Sequence, residues 1–176
     1  MRIMLTWMMC AATAAAETLI DPSFESGQFG AWSVNGQDWR ISSDAADAHG
    51  KGYAAVNDVM TNNVDAYRVL HQEFPVKPGT RCSGGVWVKA RNVESSESYF
   101  EIQFWDRYGA TIKQHQSDYV NKDQDYRYLK IGSALAPPEA FTVSVRCVVR
   151  MNKAPRVNTD LHVFDDVEFS MVAPGG

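Results

Sequence analysis

Short runs of alternating apolar and polar residues recur along this chain, and turn residues separate them. Successive side chains of a strand point to opposite faces, so this alternation predicts strands with one face in a core. Eight strands are predicted, over residues 38–42, 52–58, 67–75, 80–90, 99–106, 126–134, 141–150 and 161–171. Many short strands without a long helical pattern predict an all-β fold, a two-sheet antiparallel β-sandwich.

Three predicted strands carry an aliphatic row on one face, expected to form the core, and a polar and aromatic row on the other. The second row contains Trp87, then Tyr99, Glu101, Gln103 and Trp105, then Arg146 and Arg150. Aromatic rings can cover the C–H faces of sugar rings, while amide, carboxylate and guanidinium groups bind hydroxyls. If the strands are neighbours, the row predicts one sugar-binding groove. Cross-strand packing alone is the alternative explanation for such residues.

An acidic pair interrupts the last apolar run, residues 161–169. Strict alternation places Asp165 on the same face as Val163 and Val167, which predicts that its carboxylate faces the core. A buried carboxylate is costly unless it is paired or coordinates a metal. The pair therefore marks a candidate ion-pair or metal site.

The amino terminus has the pattern of a secretory signal peptide, residues 1–16, with Arg2, an apolar run and a closing Ala14-Ala15-Ala16. The run is shorter than the roughly 20 residues that span a bilayer. We expect a secreted protein, periplasmic or extracellular, with one domain over residues 17–172 and a frayed tail at 173–176.

Charge and cysteine content narrow the classes further. The net charge is −4 and no basic run is present, which argues against nucleic acid as a partner. Cys82 and Cys147 remain after signal cleavage, and a pair of cysteines in an exported protein predicts a disulfide. Two buried free thiols are the alternative.

Four motifs resemble one known group of proteins. They are Pro-Ser-Phe-Glu-Ser-Gly at 22–27, Val-Lys-Pro-Gly-Thr at 76–80, Val-Trp-Val-Lys at 86–89 and Phe-Asp-Asp-Val at 164–167. Their order and spacing resemble the jelly-roll carbohydrate-binding modules of the galactose-binding-domain-like group, which includes cellulose- and xylan-binding modules of bacterial glycanases. The resemblance covers nearly all of the mature chain. It implies a jelly-roll fold and non-catalytic polysaccharide binding, and we expect a monomer.

The resemblance also implies a structural calcium ion near the joined termini. Its side-chain ligands would be Glu25 and either Asp165 or Asp166, with carbonyls from Gly27 and from the loop that contains Lys51. Calcium binds 6–8 oxygen ligands and often mixes carboxylates with carbonyls. In the alternative reading, Glu25 caps a turn and the aspartates are solvated or paired with arginine.

In the sugar-binding hypothesis, Trp87, Tyr99 and Trp105 stack on sugar rings, while Glu101, Gln103, Arg146 and Arg150 bind hydroxyls or an acidic sugar. Two other classes stay open. The first is an adhesion or matrix protein, for which a flat apolar surface is expected. The second is a small polysaccharide lyase or hydrolase, with His115–Tyr119 or Arg146–Tyr99 as the candidate pairs.

Overall fold

The computed structural model describes residues 18–50, 52–59, 67–152 and 159–174. The predicted signal peptide, Lys51 and the last two residues of the predicted tail lie outside these ranges. None of the described segments forms a helix long and apolar enough to cross a membrane. The strands are β1 (Ser33–Asn35), β2 (Trp39–Ser42), β3 (Ala54–Val59), β4 (Tyr67–Pro75), β5 (Arg81–Arg91), β6 (Ser96–Trp105), β7 (Thr111–Gln116), β8 (Gln124–Leu135), β9 (Thr142–Met151) and β10 (Asp160–Val172).

These strands form two antiparallel sheets of five. Sheet A has the order β1-β4-β9-β6-β7, and sheet B has the order β2-β3-β10-β5-β8. The core lies between the sheets and contains the aliphatic rows that the alternation predicts on β5, β6 and β9. The predicted all-β, two-sheet antiparallel sandwich is confirmed.

Two strands were not predicted from the sequence, and both lie at an edge of sheet A. The three residues of β1 are all exposed, and β7 (Thr-Ile-Lys-Gln-His-Gln) is mostly exposed and polar. An edge strand packs little apolar surface, and polar residues protect it from pairing with other chains. Neither strand therefore shows the alternation that identified the other eight.

The predicted orientation of Asp165 is wrong, because a β-bulge interrupts β10. Asp165 pairs with Trp87 but Glu168 pairs with Gly85, so β10 contains one extra residue between these points. Asp166 has a φ of 48° within the bulge. The extra residue reverses the faces: Asp165 points away from sheet A, while Val167 packs in the inter-sheet core.

The predicted disulfide is absent, since Cys82 and Cys147 are both free and buried. Cys82 pairs with Met171 near the start of β5, whereas Cys147 pairs with Leu70 and Phe100 near the middle of sheet A. Burial raises the pKa of the Cys82 thiol to about 11 and also raises that of Cys147. The two residues therefore pack as small apolar side chains with protonated thiols.

Candidate functional site on sheet A

Polar residues cover the centre of the outer face of sheet A, the face that points away from sheet B. Directly paired residues of adjacent strands share a face. One row across β4, β9, β6 and β7 contains His71, Arg146, Glu101 and Gln116; the next contains Glu73, Ser144, Gln103 and Gln114. Tyr99, Trp105 and Arg150 lie on the same face by strand parity. Six of the seven predicted sugar-binding residues are therefore on one surface.

Trp87 is the exception, and the prediction that it lines a groove with Gln103, Trp105 and Arg146 is wrong. It lies on β5, in sheet B, whereas the other residues lie in sheet A. Its ring stacks on His49, with ring centroids 4.1 Å apart and planes 17° apart. Strand parity gave the correct outward orientation of Trp87, but it could not tell which sheet contained the strand.

Hydrogen bonds connect the polar side chains at the centre of the outer face. Arg146 donates from Nη1 to Glu101 Oε1 at 2.7 Å and also to Gln103 Oε1. Gln116 donates to the other oxygen of Glu101 at 2.9 Å, and Gln103 donates to Thr111 at 2.9 Å. Glu101 is only 3% exposed, so its charge needs this pairing with Arg146.

Aromatic rings flank this polar centre. Tyr99 packs edge-on against Tyr119 with centroids 5.0 Å apart, and the guanidinium of Arg150 lies 5.7 Å from the Tyr119 ring. Trp105 contacts His71 edge-on at 6.5 Å further along the strands. A depression of about 230 Å³ opens beside Tyr99, lined by Tyr67, Tyr99, Glu101, Gln114, Gln116, Arg146 and Val148.

Unpartnered polar atoms are concentrated on this face. Within the described ranges, seven buried side-chain nitrogen or oxygen atoms have no hydrogen-bond partner, and four belong to the outer face of sheet A: His71 Nδ1, Ser144 Oγ, Arg146 Nε and Arg150 Nε. Buried polar atoms are nearly always hydrogen-bonded, because an unmet donor or acceptor costs about 1–3 kcal/mol. All four atoms are shielded from solvent, so a ligand would reach them only after a movement of the surrounding side chains.

Burial sets the protonation of two groups on the face. Burial lowers the pKa of His71, with the Arg146 charge adding to the effect and Glu73 opposing it, so the imidazole is neutral near pH 7. Burial also raises the pKa of Tyr99, and Glu101 adds to this shift. Tyr99 thus keeps its phenolic proton.

Sequence reasoning missed the contribution of β4 to this face. Tyr67, His71 and Glu73 alternate along β4, and His71 Nε2 lies 3.0 Å from Glu73 Oε1. The alternation was visible, but β4 joins the site only because it pairs with β9. The segment between β7 and β8 also contributes, since the Tyr119 hydroxyl donates to Gln116 at 2.6 Å.

Of the two residue pairs considered for lyase chemistry, the structure separates one and keeps the other together. The ring of His115 packs edge-on against the core residue Phe104, with centroids 6.2 Å apart, whereas Tyr119 packs against Tyr99 on the outer face. Arg146 and Tyr99 do line the same depression. However, Arg146 is neutralised by Glu101, and a raised pKa makes Tyr99 a poorer base.

The amino-terminal segment and β10 meet at a second, acidic site. Val167 donates its backbone N–H to the Pro22 carbonyl at 3.0 Å, and Ser23 donates to Asp166 Oδ1 at 2.7 Å. Asp165 is 2% exposed, and its carboxylate accepts N–H groups from His49 and Asp166, both at 2.8 Å. The two ends of the domain therefore come together, as the sequence predicts.

The surroundings of Asp165 disfavour its charged form, whereas Asp166 Oδ2 lies 2.8 Å from His49 Nδ1. Burial raises the pKa of Asp165 to about 6, and the charges of Asp166 and Glu25 add to the shift. Glu25 accepts the Tyr53 N–H at 3.1 Å, and a Cβ built on Gly52 would collide with its carboxylate. In the described parts of the chain, no three His, Cys, Asp or Glu side chains are arranged to bind a metal alone. The predicted calcium set also uses carbonyls, including that of Lys51.

Solved structures with the same fold are numerous, although no protein-family model and no curated protein matches the chain. The CBM22-1 xylan-binding domain of Paenibacillus barcinonensis Xyn10C matches with a TM-score of 0.64 and 16% identity, over 93% of this chain and 100% of that domain. TmCBM61, solved in complex with β-1,4-galactotriose, matches with a TM-score of 0.60 and 18% identity, over 89% of this chain and 97% of the other.

Larger proteins contain the same fold as one part. The enzymatically active domain of bacteriophage CBA120 tailspike protein 4 matches with a TM-score of 0.60 and 16% identity, over 88% of this chain but 21% of the tailspike chain. The predicted resemblance to jelly-roll carbohydrate-binding modules is confirmed at the level of the fold.

Proposed function

We propose that this protein is a secreted, non-catalytic carbohydrate-binding module that holds a polysaccharide on the outer face of sheet A. The observation that carries the proposal is the depression of about 230 Å³ on that face, which Tyr67, Glu101 and Arg146 help to line. Sugar hydroxyls both donate and accept hydrogen bonds, so they suit the mixture of amide, carboxylate and guanidinium groups that lines this depression.

Apolar contact would come from aromatic rings at either end of the polar centre. Tyr67 is 54% exposed and Trp105 is half-buried, so both retain ring surface for a ligand. Glycan sites combine such surfaces with a few oriented polar groups. The charged and amide groups at the centre also favour a glycan over the flat apolar surface that a protein adhesion site would need.

The solved structures with this fold support the proposal. Two of them are a xylan-binding domain and a module in complex with galactotriose. A shared fold does not by itself establish a function, and the identities are 16% and 18%. The proposal therefore depends on the residues of this face.

A structural calcium ion at the acidic site is the second part of the proposal. Asp165, Asp166 and Glu25 would provide carboxylate oxygens, and Gly27 and Lys51 would provide carbonyls. The buried Asp165 carboxylate accepts hydrogen bonds from two backbone N–H groups, and no ion pair to it is found among the described residues. A divalent cation would offset the burial and repulsion that raise its pKa, and would pin the amino-terminal segment to β10.

Affinity electrophoresis in gels that contain xylan, β-1,4-galactan or mixed-linkage β-glucan tests the sugar-binding face. We expect retention of the wild type by at least one polymer, and at least about tenfold weaker binding after Tyr67→Ala with Trp105→Ala, because each loses apolar contact area. Tyr128→Ala is the matched control, since Tyr128 is a half-buried tyrosine on sheet B. Equal retention of the double variant and the control would contradict the proposal.

A further inference from the structure

Each guanidinium on the outer face of sheet A is paired with a carboxylate. Arg146 Nη1 lies 2.7 Å from Glu101 Oε1, Arg150 pairs with Glu97, and His71 lies 3.0 Å from Glu73. These three pairs include every charged residue that the register places on the outer face of the four described strands β4, β9, β6 and β7.

The net charge of this face is slightly negative. Three carboxylates, Glu73, Glu97 and Glu101, face two guanidiniums, those of Arg146 and Arg150. His71 adds no charge near pH 7, because burial lowers its pKa. The guanidiniums thus have no spare charge for an anionic ligand.

The carboxylates are held in position and would repel a second anion. Glu101 uses both oxygens, one with Arg146 and one with Gln116 at 2.9 Å, and it is 3% exposed. Like charges brought together at a desolvated interface cost several kcal/mol. A uronic acid or sulfated sugar above Arg146 would meet Glu101 at the same point.

We propose that this face selects uncharged glycans and discriminates against uronic acids and sulfated sugars, an inference that rests on the proposed function. The sequence alone left hydroxyls and acidic sugars as equal options for Arg146 and Arg150. Their pairing with carboxylates favours the hydroxyls. Because a neutral glycan forms no ion pair with this face, its binding should also depend little on the salt concentration.

Three matched pairs of polymers test this selectivity by affinity electrophoresis of the mature chain: β-1,4-galactan and its C6-oxidised form, xylan and glucuronoxylan, and mixed-linkage β-glucan and its C6-oxidised form. We expect binding of a neutral polymer to exceed binding of its carboxylated partner by at least about tenfold. Neutral binding should change less than about twofold between low salt and about 0.5 M NaCl.

A charge-altering variant provides a positive readout that a misfolded protein cannot give. Glu101→Gln leaves Arg146 with a neutral partner, so we expect binding of the carboxylated polymers to increase by about tenfold. Glu168→Gln is the matched control, because Glu168 is an exposed carboxylate on sheet B. It should leave the selectivity unchanged.

The possible results separate this inference from the proposed function. Equal or stronger binding of the carboxylated polymers by the wild type, or loss of binding in high salt, would overturn the selectivity and leave the sugar-binding face intact. No gain by Glu101→Gln would also overturn it. Failure of the wild type to bind any of the six polymers would contradict the proposed function, and the selectivity with it.

Discussion

His162 is enclosed between the two sheets, and its protonation should control stability in mild acid. The ring is 0% exposed; Nδ1 lies 2.9 Å from Ser98 Oγ and Nε2 lies 2.8 Å from Ser96 Oγ. Ser96 donates its hydroxyl proton to Asp160 at 2.5 Å. Ser96 therefore accepts from Nε2–H, and the network suits a neutral imidazole.

The size of the effect follows from the pKa of this histidine. Burial lowers the pKa of His162 from 6.5 to about 4, with Arg68 adding to the shift and Asp160 opposing it. The unfolded chain therefore takes up a proton below pH 6.5, while the folded chain resists until about pH 4. At about 1.4 kcal/mol per pH unit, stability should fall by about 3 kcal/mol across this window.

Urea unfolding of the wild type and of His162→Gln at several pH values between 7 and 4 measures this effect. The comparison is needed because Asp165, with its pKa raised to about 6, works in the opposite direction and gains stability as the pH falls. We expect the wild type to lose about 3 kcal/mol more than the variant between pH 7 and pH 4. A difference between the two proteins that does not change with pH would refute this reasoning.

Three further predictions concern stability and the cysteines. Gly52→Ala should lower the free energy of unfolding by about 2 kcal/mol or more, because the added Cβ would collide with the Glu25 carboxylate. Gly50→Ala is the control: Gly50 also has a positive φ but lies in open space, so the loss of unfolding free energy should be smaller. Similar losses in the two variants would rule out the contact with Glu25. Calcium should raise the melting temperature of the wild type by several degrees but not that of Asp165→Asn, and no rise in the wild type would contradict the calcium proposal. Without reduction, a thiol reagent should react with two thiols per mature chain after denaturation and with none in the native protein, because Cys82 and Cys147 are buried. If no thiol reacts after denaturation, the two cysteines form a disulfide.

The strands of the core were predictable because burial of one face produces an alternation of apolar and polar residues in the sequence. The alternation identified β4, β5, β6, β9 and β10 to within a few residues of their ends. It also gave the correct outward orientation of Tyr99, Glu101 and Arg146. A side chain's orientation depends on its own strand, so local sequence contains the information.

The arrangement of the strands was not predictable in the same way. Trp87 was grouped with Trp105 because both point outward, yet the topology puts them in different sheets. The orientation of Asp165 relative to Val167 depends on a single extra residue in β10, and nothing in the local sequence predicts the positive φ of Asp166. Likewise, His71 and Gln116 reach the site only through the pairing of β4 and β7 with other strands. Each of these features depends on contacts between distant parts of the chain.

Side-chain ¹H–¹⁵N NMR tests most directly whether a glycan binds the outer face of sheet A. Titration with an oligosaccharide of the polymer that retains the protein should shift the Nε–H resonances of Arg146 and Arg150. The indole N–H of Trp87, on sheet B, should not move. Shifts at Trp87 with unchanged Arg146 and Arg150 would contradict the account.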